Sequence, residues 1–262
     1  MIEEGNGKVR GLRDWSVRDA FFLPFLIAVF LFPSCLSAQS KFTDQWAGRP
    51  LLSPLDIEGA VRSRMKNAPR VGEKAPEAVF VDAETGKGVL LRQLCEEKPV
   101  VLFFGSYSCL PVRDSAGEMK ELQERFGDSV DFCYVQIREA HPTNGVPPPV
   151  LSGQAFVIDP PKSLEERSGL ARKLCRECDI PFRILLDPIE DMNAVRWAAW
   201  PVRIFVVNPE GTVQYAGQQG PWFYKPMKGT KIELVGVPEE FGEIPGYSRE
   251  SLEEFLEREY PE

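Results

Sequence analysis

The chain has 262 residues, 43% hydrophobic and 27% charged, with a net charge of -8 at neutral pH. That is enough for one good domain plus extensions. The acidic balance excludes nucleic acid as a partner, because phosphate binding needs a basic face.

The amino end differs from the rest. Lys8, Arg10, Arg13 and Arg18 precede an apolar run from Ala20 to Phe32, followed by small residues at Ser34, Ser37 and Ala38. Residues 1–38 read as a signal peptide with cleavage after Ala38. The run falls short of the about 20 apolar residues of a membrane span, so an uncleaved anchor through residues 20–32 is the second reading. Either one makes the remainder exported, periplasmic or tethered to a membrane. Residues 39–70, with Pro50, Pro54 and Pro69, read as a linker, and residues 71–262 as the domain.

Pro76–Asp82 and Gly86–Leu91 predict a hairpin turning at 83–87, then a short helical turn to Glu96. Val100–Phe104 is continuously apolar, as in a strand buried on both faces. Arg113–Phe126 carries Met119, Leu122 and Phe126 at helical spacing. Phe132–Ile137 is a second buried strand. Residues 142–161 are a proline-rich loop. Ser163–Arg176 is a helix whose Ser163 and Glu166 suit a capping box. Phe182–Leu186 is a third strand, and Asp191–Ala199 a short helix. Val202–Val207 and Thr212–Ala216 flank an Asn-Pro-Glu-Gly turn and must be antiparallel. Residues 226–247 form a long irregular stretch, and Ser248–Glu259 closes the chain as a helix.

This order contains βαβ crossovers followed by a hairpin, which predicts a mixed central sheet covered by helices. With a thiol at the first long βα junction, it describes a thioredoxin-like α/β three-layer sandwich. That thiol is Cys109. It follows a buried strand through Gly105-Ser106-Tyr107-Ser108 and precedes Pro111. At a helix start, free N–H groups and the helix dipole favour the thiolate, and the small-residue turn is expected to expose it. Val112 stands where redox dithiols of this kind carry a second cysteine, so Cys109 must use a distant or external thiol.

Six cysteines are present, and removal of Cys35 with the signal leaves an odd number. Cys95 and Cys133 read as small buried hydrophobes. Cys175 and Cys178 form a C-x-x-C that suits a redox pair, a resolving thiol for Cys109, or a structural disulfide. Zinc would need four ligands, so no metal is expected. Trp200-Pro201 precedes a strand where such folds place a cis proline facing the thiol. His141, the single histidine, follows a strand at the same carboxyl edge, with Glu139 two residues before it.

Four blocks resemble the iodothyronine deiodinase family. Phe104-Gly105-Ser106-Tyr107-Ser108-Cys109-Leu110-Pro111 resembles its active-site segment, in which selenocysteine usually holds the position of Cys109. Ile137–Gly145 resembles its Glu-Ala-His-x-x-Asp-Gly segment, Trp200–Val207 its proline–strand segment, and Gly217–Pro226 its Gly-x-x-Gly-Pro-Trp-x-Tyr-x-Pro motif. The resemblance implies reductive removal of iodine from iodinated phenols or iodothyronines. Cys109 would be the nucleophile, with Glu139 and His141 holding substrate and supplying the proton. Arg203 would meet a carboxylate or phenolate, and Pro201, Ser106, Tyr107 and Trp222 would border the substrate. No cofactor is implied beyond an external thiol reductant such as a thioredoxin-like protein, and the family is often dimeric. Tyr107 replaces a helper cysteine, Asn144 an aspartate and Val146 an aromatic residue. Two rivals are a one-cysteine peroxidase, using Ser106 and Arg203 beside the thiol, and a non-catalytic binding domain on a redox scaffold.

Overall fold

A computed structural model describes residues 66–145, 156–218, 220, 224–230 and 247–261. All belong to the unit Phe42–Glu262. Residues 1–38, most of the linker, Trp222 and residues 231–246 lie outside the described residues.

The hairpin forms as predicted from β1 (Val79–Asp82) and β2 (Gly88–Leu90). Its turn is tied by Asp82, whose Oδ1 accepts the Thr85 N–H at 2.8 Å, while Gly86 supplies the positive φ of 68°. Helix α1 (Leu91–Leu94) leads to β3 (Val100–Gly105), buried at every position. The predicted helix after Cys109 is two helices, α2 (Leu110–Asp114) and α3 (Ala116–Phe126). Ser115 separates them: its Oγ lies 2.7 Å from the Pro111 carbonyl and 2.8 Å from the Tyr224 hydroxyl, so the side chain competes for the helical ladder. Then come β4 (Asp131–Gln136), α4 (Leu164–Glu177), β5 (Arg183–Leu186), α5 (Met192–Arg196), β6 (Arg203–Val207), β7 (Val213–Ala216) and α6 (Leu252–Glu259).

The seven strands form one sheet in the order β2-β1-β5-β4-β3-β6-β7. β3, β4 and β5 are parallel, while β6 runs antiparallel to β3 and to β7. Period-two alternation sorts the core. Val101, Phe103, Tyr134, Ile204 and Val206 face α3, α4 and α6. Val100, Leu102, Phe104, Val135 and Phe205 face α1 and α5. Each large side chain buried this way stabilises the fold by roughly 1.5–3 kcal/mol. The result is the expected thioredoxin-like three-layer sandwich. Among the described residues no helix is long and apolar enough to cross a membrane.

The parallel strands share one carboxyl edge. There the Ile137 N–H donates to the Gly105 carbonyl and the Asp187 N–H to the Gln136 carbonyl, each at 2.9 Å. The fully buried Asp187 carboxylate accepts the N–H groups of Asn193 (3.1 Å) and Ala194 (2.8 Å) in the first turn of α5. Burial is the dominant effect on it and pushes its pKa up to about 6.

Candidate active site

Cys109 stands where the sequence places it, at the end of β3 and as the N-cap of α2. Its N–H donates to the Ser106 carbonyl at 3.1 Å, closing the turn. Gly105 permits the close fit of α2 on β3, since a Cβ there would lie 2.5 Å from Val112 Cγ2.

The expectation of an exposed, easily ionised thiol is corrected. Cys109 is 1% exposed and shares a cluster with Phe103, Tyr107, Val112 and Tyr224. Burial pushes the thiol up to about 12. The Val112 N–H pulls the other way, and the charges of Glu139 and Asp114 add to the rise. Burial wins because α2 has five residues and ends at Ser115, so it offers one well-placed N–H rather than a full helix dipole. The small-residue turn does not face water. Ser106 and Ser108 are fully buried and turn their hydroxyls inward.

Those hydroxyls meet the segment after β4. Glu139 is 3% exposed. Its Oε2 accepts both the Ser108 N–H (2.7 Å) and the Ser108 hydroxyl (2.6 Å), and its Oε1 accepts the Gln136 side-chain amide (2.8 Å). The Tyr134 hydroxyl donates to Gln136 Oε1 at 2.6 Å, which fixes that amide. The Ser106 hydroxyl takes the Ala140 N–H and the Ser108 hydroxyl the His141 N–H, each at 3.0 Å. Burial raises the Glu139 pKa from its ordinary value, and the Ser108 bonds oppose it. Burial thus favours the protonated carboxyl, while the three hydrogen bonds that it accepts favour the carboxylate.

The peptide bond between Trp200 and Pro201 is cis, as expected from the element order. The Trp200 indole N–H donates to the Glu139 carbonyl at 3.2 Å, fastening the proline loop to the same segment. His141 is half-buried and reaches this network through its backbone.

Arg203 does not join them. It is fully buried, and its Nε donates to the Gly217 carbonyl (2.6 Å) and its Nη1 to the Trp197 carbonyl (3.1 Å). Its guanidinium lies over the Phe205 and Tyr247 rings. Alternation along β6 decides this: Ile204 shares the Cys109 cluster, while Arg203 contacts Phe205 of the opposite face. Two of its nitrogens are thus taken by backbone carbonyls and its face by two rings, away from the Cys109 cluster. Of the two residues the peroxidase reading uses, Arg203 lies on the opposite face from the thiol and Ser106 accepts the Ala140 N–H.

Tyr107 packs beside Phe156 in an edge-on contact. Cys175 and Cys178 are both free thiols, the first buried within α4 and the second half-buried at its C-cap. Arg113 links Cys178 to the Cys109 turn. Its Nε donates to the Tyr107 carbonyl at 2.9 Å, its Nη2 pairs with Glu177 at 3.1 Å, and its Nη1 lies 3.9 Å from Cys178 Sγ. Ser108, Gln136, Tyr134 and Arg113 were not singled out from sequence. The available signal was Ser108: a buried glutamate at a strand end needs donors, and a serine in the neighbouring strand-end turn can supply two.

A family model described as iodothyronine deiodinase matches residues 44–232. Among curated proteins, the type I iodothyronine deiodinase of Xenopus laevis is 30% identical over 163 residues, 62% of each chain. The type II enzyme of Fundulus heteroclitus is 32% identical over 130 residues, 49% of this chain and 48% of the relative. The chain therefore spans about half to three-fifths of the length of these relatives. Among solved structures, the thioredoxin domain of a thiol-disulfide oxidoreductase from Bacteroides vulgatus aligns at 18% identity and a TM-score of 0.41, covering 57% of this chain and 89% of that one. With the family model matching well over half of its residues, the chain belongs to the iodothyronine deiodinase family.

Proposed function

We propose that the protein removes iodine reductively from iodinated phenols of the iodothyronine type, with Cys109 as nucleophile. The observation that carries this is the Ser108–Glu139 pair. It sets a buried carboxyl with a raised pKa against the residue adjoining the thiol, in a chain of this family.

The resting thiol is protonated and covered. Substrate opens the turn, Glu139 takes the Cys109 thiol proton, and the thiolate attacks the iodine atom. A sulfur–iodine bond forms, the carbon–iodine bond breaks, and the ring carbon takes that proton from Glu139, beside Ser108 and His141. A second thiolate attacks the sulfur of the sulfenyl iodide, forming a disulfide and releasing iodide. Cys178, or Cys175 three residues before it, fills that role, and an external dithiol then reduces the disulfide. Residues 1–38 would export or anchor this chemistry outside the cytoplasm.

Iodide release from thyroxine is the test, using the full chain with excess dithiol beside Cys109→Ser. Release that disappears in the variant supports the assignment. Equal release from both, or none from either, overturns it.

A further inference from the structure

We propose that Arg113 is a positioning residue that makes Cys178, rather than Cys175, the thiol that attacks oxidised Cys109. This rests on Cys109 being the nucleophile proposed above.

The guanidinium is held on every side. It lies 4.3 Å from the centroid of the Tyr107 ring and 3.8 Å from that of Phe156, and its side chain is 11% exposed. Three of its nitrogens reach three different groups: the Tyr107 carbonyl, Glu177 and Cys178 Sγ. Only a planar fork can do this, and it does so against two ring faces that exclude water and strengthen its field. Arg113 thus ties the turn carrying Cys109 to the C-cap of α4 carrying Cys178. Cys109 and Cys175 belong to one buried cluster with Tyr134, and Cys178 packs against it.

The neighbourhood separates the two candidates. Cys178 is raised chiefly by burial and further by Glu177 and Asp114, and Arg113 opposes all three. Cys175 is pushed up to about 12 by burial and by Cys178, with Arg176 as the opposing charge. Lys173 also lies over the Tyr107 ring and reaches Glu177, which Arg113 meets with Nη2 while its Nη1 faces the sulfur. Cys178 is the less buried thiol, and the one with a fixed cation.

The step balances. A sulfenyl group on Cys109, bearing iodide or hydroxide, is attacked by the Cys178 thiolate. A sulfur–sulfur bond forms and iodide or hydroxide leaves. Hydrogen peroxide oxidises thiols without any iodinated substrate, so the test stands apart from the deiodination reading; dimedone trapping in Cys178→Ser must find the sulfenyl group on Cys109, and its absence there overturns the proposal.

The reduced full chain, Arg113→Lys and Arg113→Leu are treated with peroxide from pH 6 to 9 and trapped with N-ethylmaleimide. Disulfides are mapped by peptide mass spectrometry, and folding is checked by circular dichroism. A Cys109–Cys178 bond is expected. Arg113→Leu should slow its formation about ten-fold and raise the pH midpoint of Cys178 alkylation by about one unit, with Arg113→Lys between. A Cys109–Cys175 bond, no bond to Cys178, or an unchanged rate and midpoint in a folded Arg113→Leu overturns the proposal. Normal disulfide formation in a chain that releases no iodide would sustain Arg113 and count against deiodination alone.

Discussion

Cys109 should be the slowest of the described thiols near its helix to react in the resting protein. Burial carries it from an ordinary 9.0 to about 12. Three units are about 4 kcal/mol against ionisation, or about 1,000-fold less thiolate than an unperturbed thiol at the same pH. Its 1% exposure limits access further. Cys178 is half-buried and has Arg113 beside it, so it serves as an internal reference. Brief treatment of the folded chain with iodoacetamide at pH 7.5, followed by peptide mass spectrometry, should label Cys109 at least about 100-fold more slowly than Cys178. In guanidinium the two rates should converge. Cys109 reacting as fast as Cys178 in the folded chain would refute the argument. It would mean that the start of α2 outweighs burial.

Three further outcomes follow from the same geometry. Ser108→Ala removes a hydroxyl donor from buried Glu139 and the acceptor of the His141 N–H, and should cost about 2–4 kcal/mol in urea unfolding. Gly105→Ala drives a Cβ into Val112 and should destabilise by about 1–3 kcal/mol. Val112→Ala in the same chain should recover part of that, as a double-mutant cycle would show. Asp187 has a folded value of about 6 against 3.8 when free. Its contribution is therefore fully present below about pH 4 and lost as pH rises through 6. Wild type should lose about 2.4 kcal/mol relative to Asp187→Asn between pH 4 and 7, and parallel stability curves would contradict this.

Much of the fold was legible because local rules carried it. The unbroken apolar run of β3, the Asn208–Gly211 turn and the position of Pro201 in the element order each required no distant information. The site was legible in its members and misread in its environment. A Gly-Ser-Tyr-Ser turn looks solvated until Glu139 and Ala140, more than thirty residues away, are seen to take its hydroxyls. Arg203 looks like a ligand-binding cation at a strand start. Only the register of β6 on β3 shows that it pairs with Phe104 and shares the face of Phe205, away from the thiol. The break at Ser115 was invisible because the apolar spacing continues through it and the Tyr224 hydroxyl comes from 109 residues away.

The Glu139 network also bears on how the protein opens. Residues 105–108 and 136–141 are laced together by the Ile137 N–H, both serine hydroxyls and the Ser108 N–H. Segments joined this way tend to open as one cooperative unit rather than as separate loops. Water and substrate would then reach the thiol in the same fluctuation that hydrates the carboxyl. Amide protons of the two segments should exchange with a single opening free energy. The rate of that opening sets a ceiling on turnover that no improvement in the chemistry of sulfur could raise.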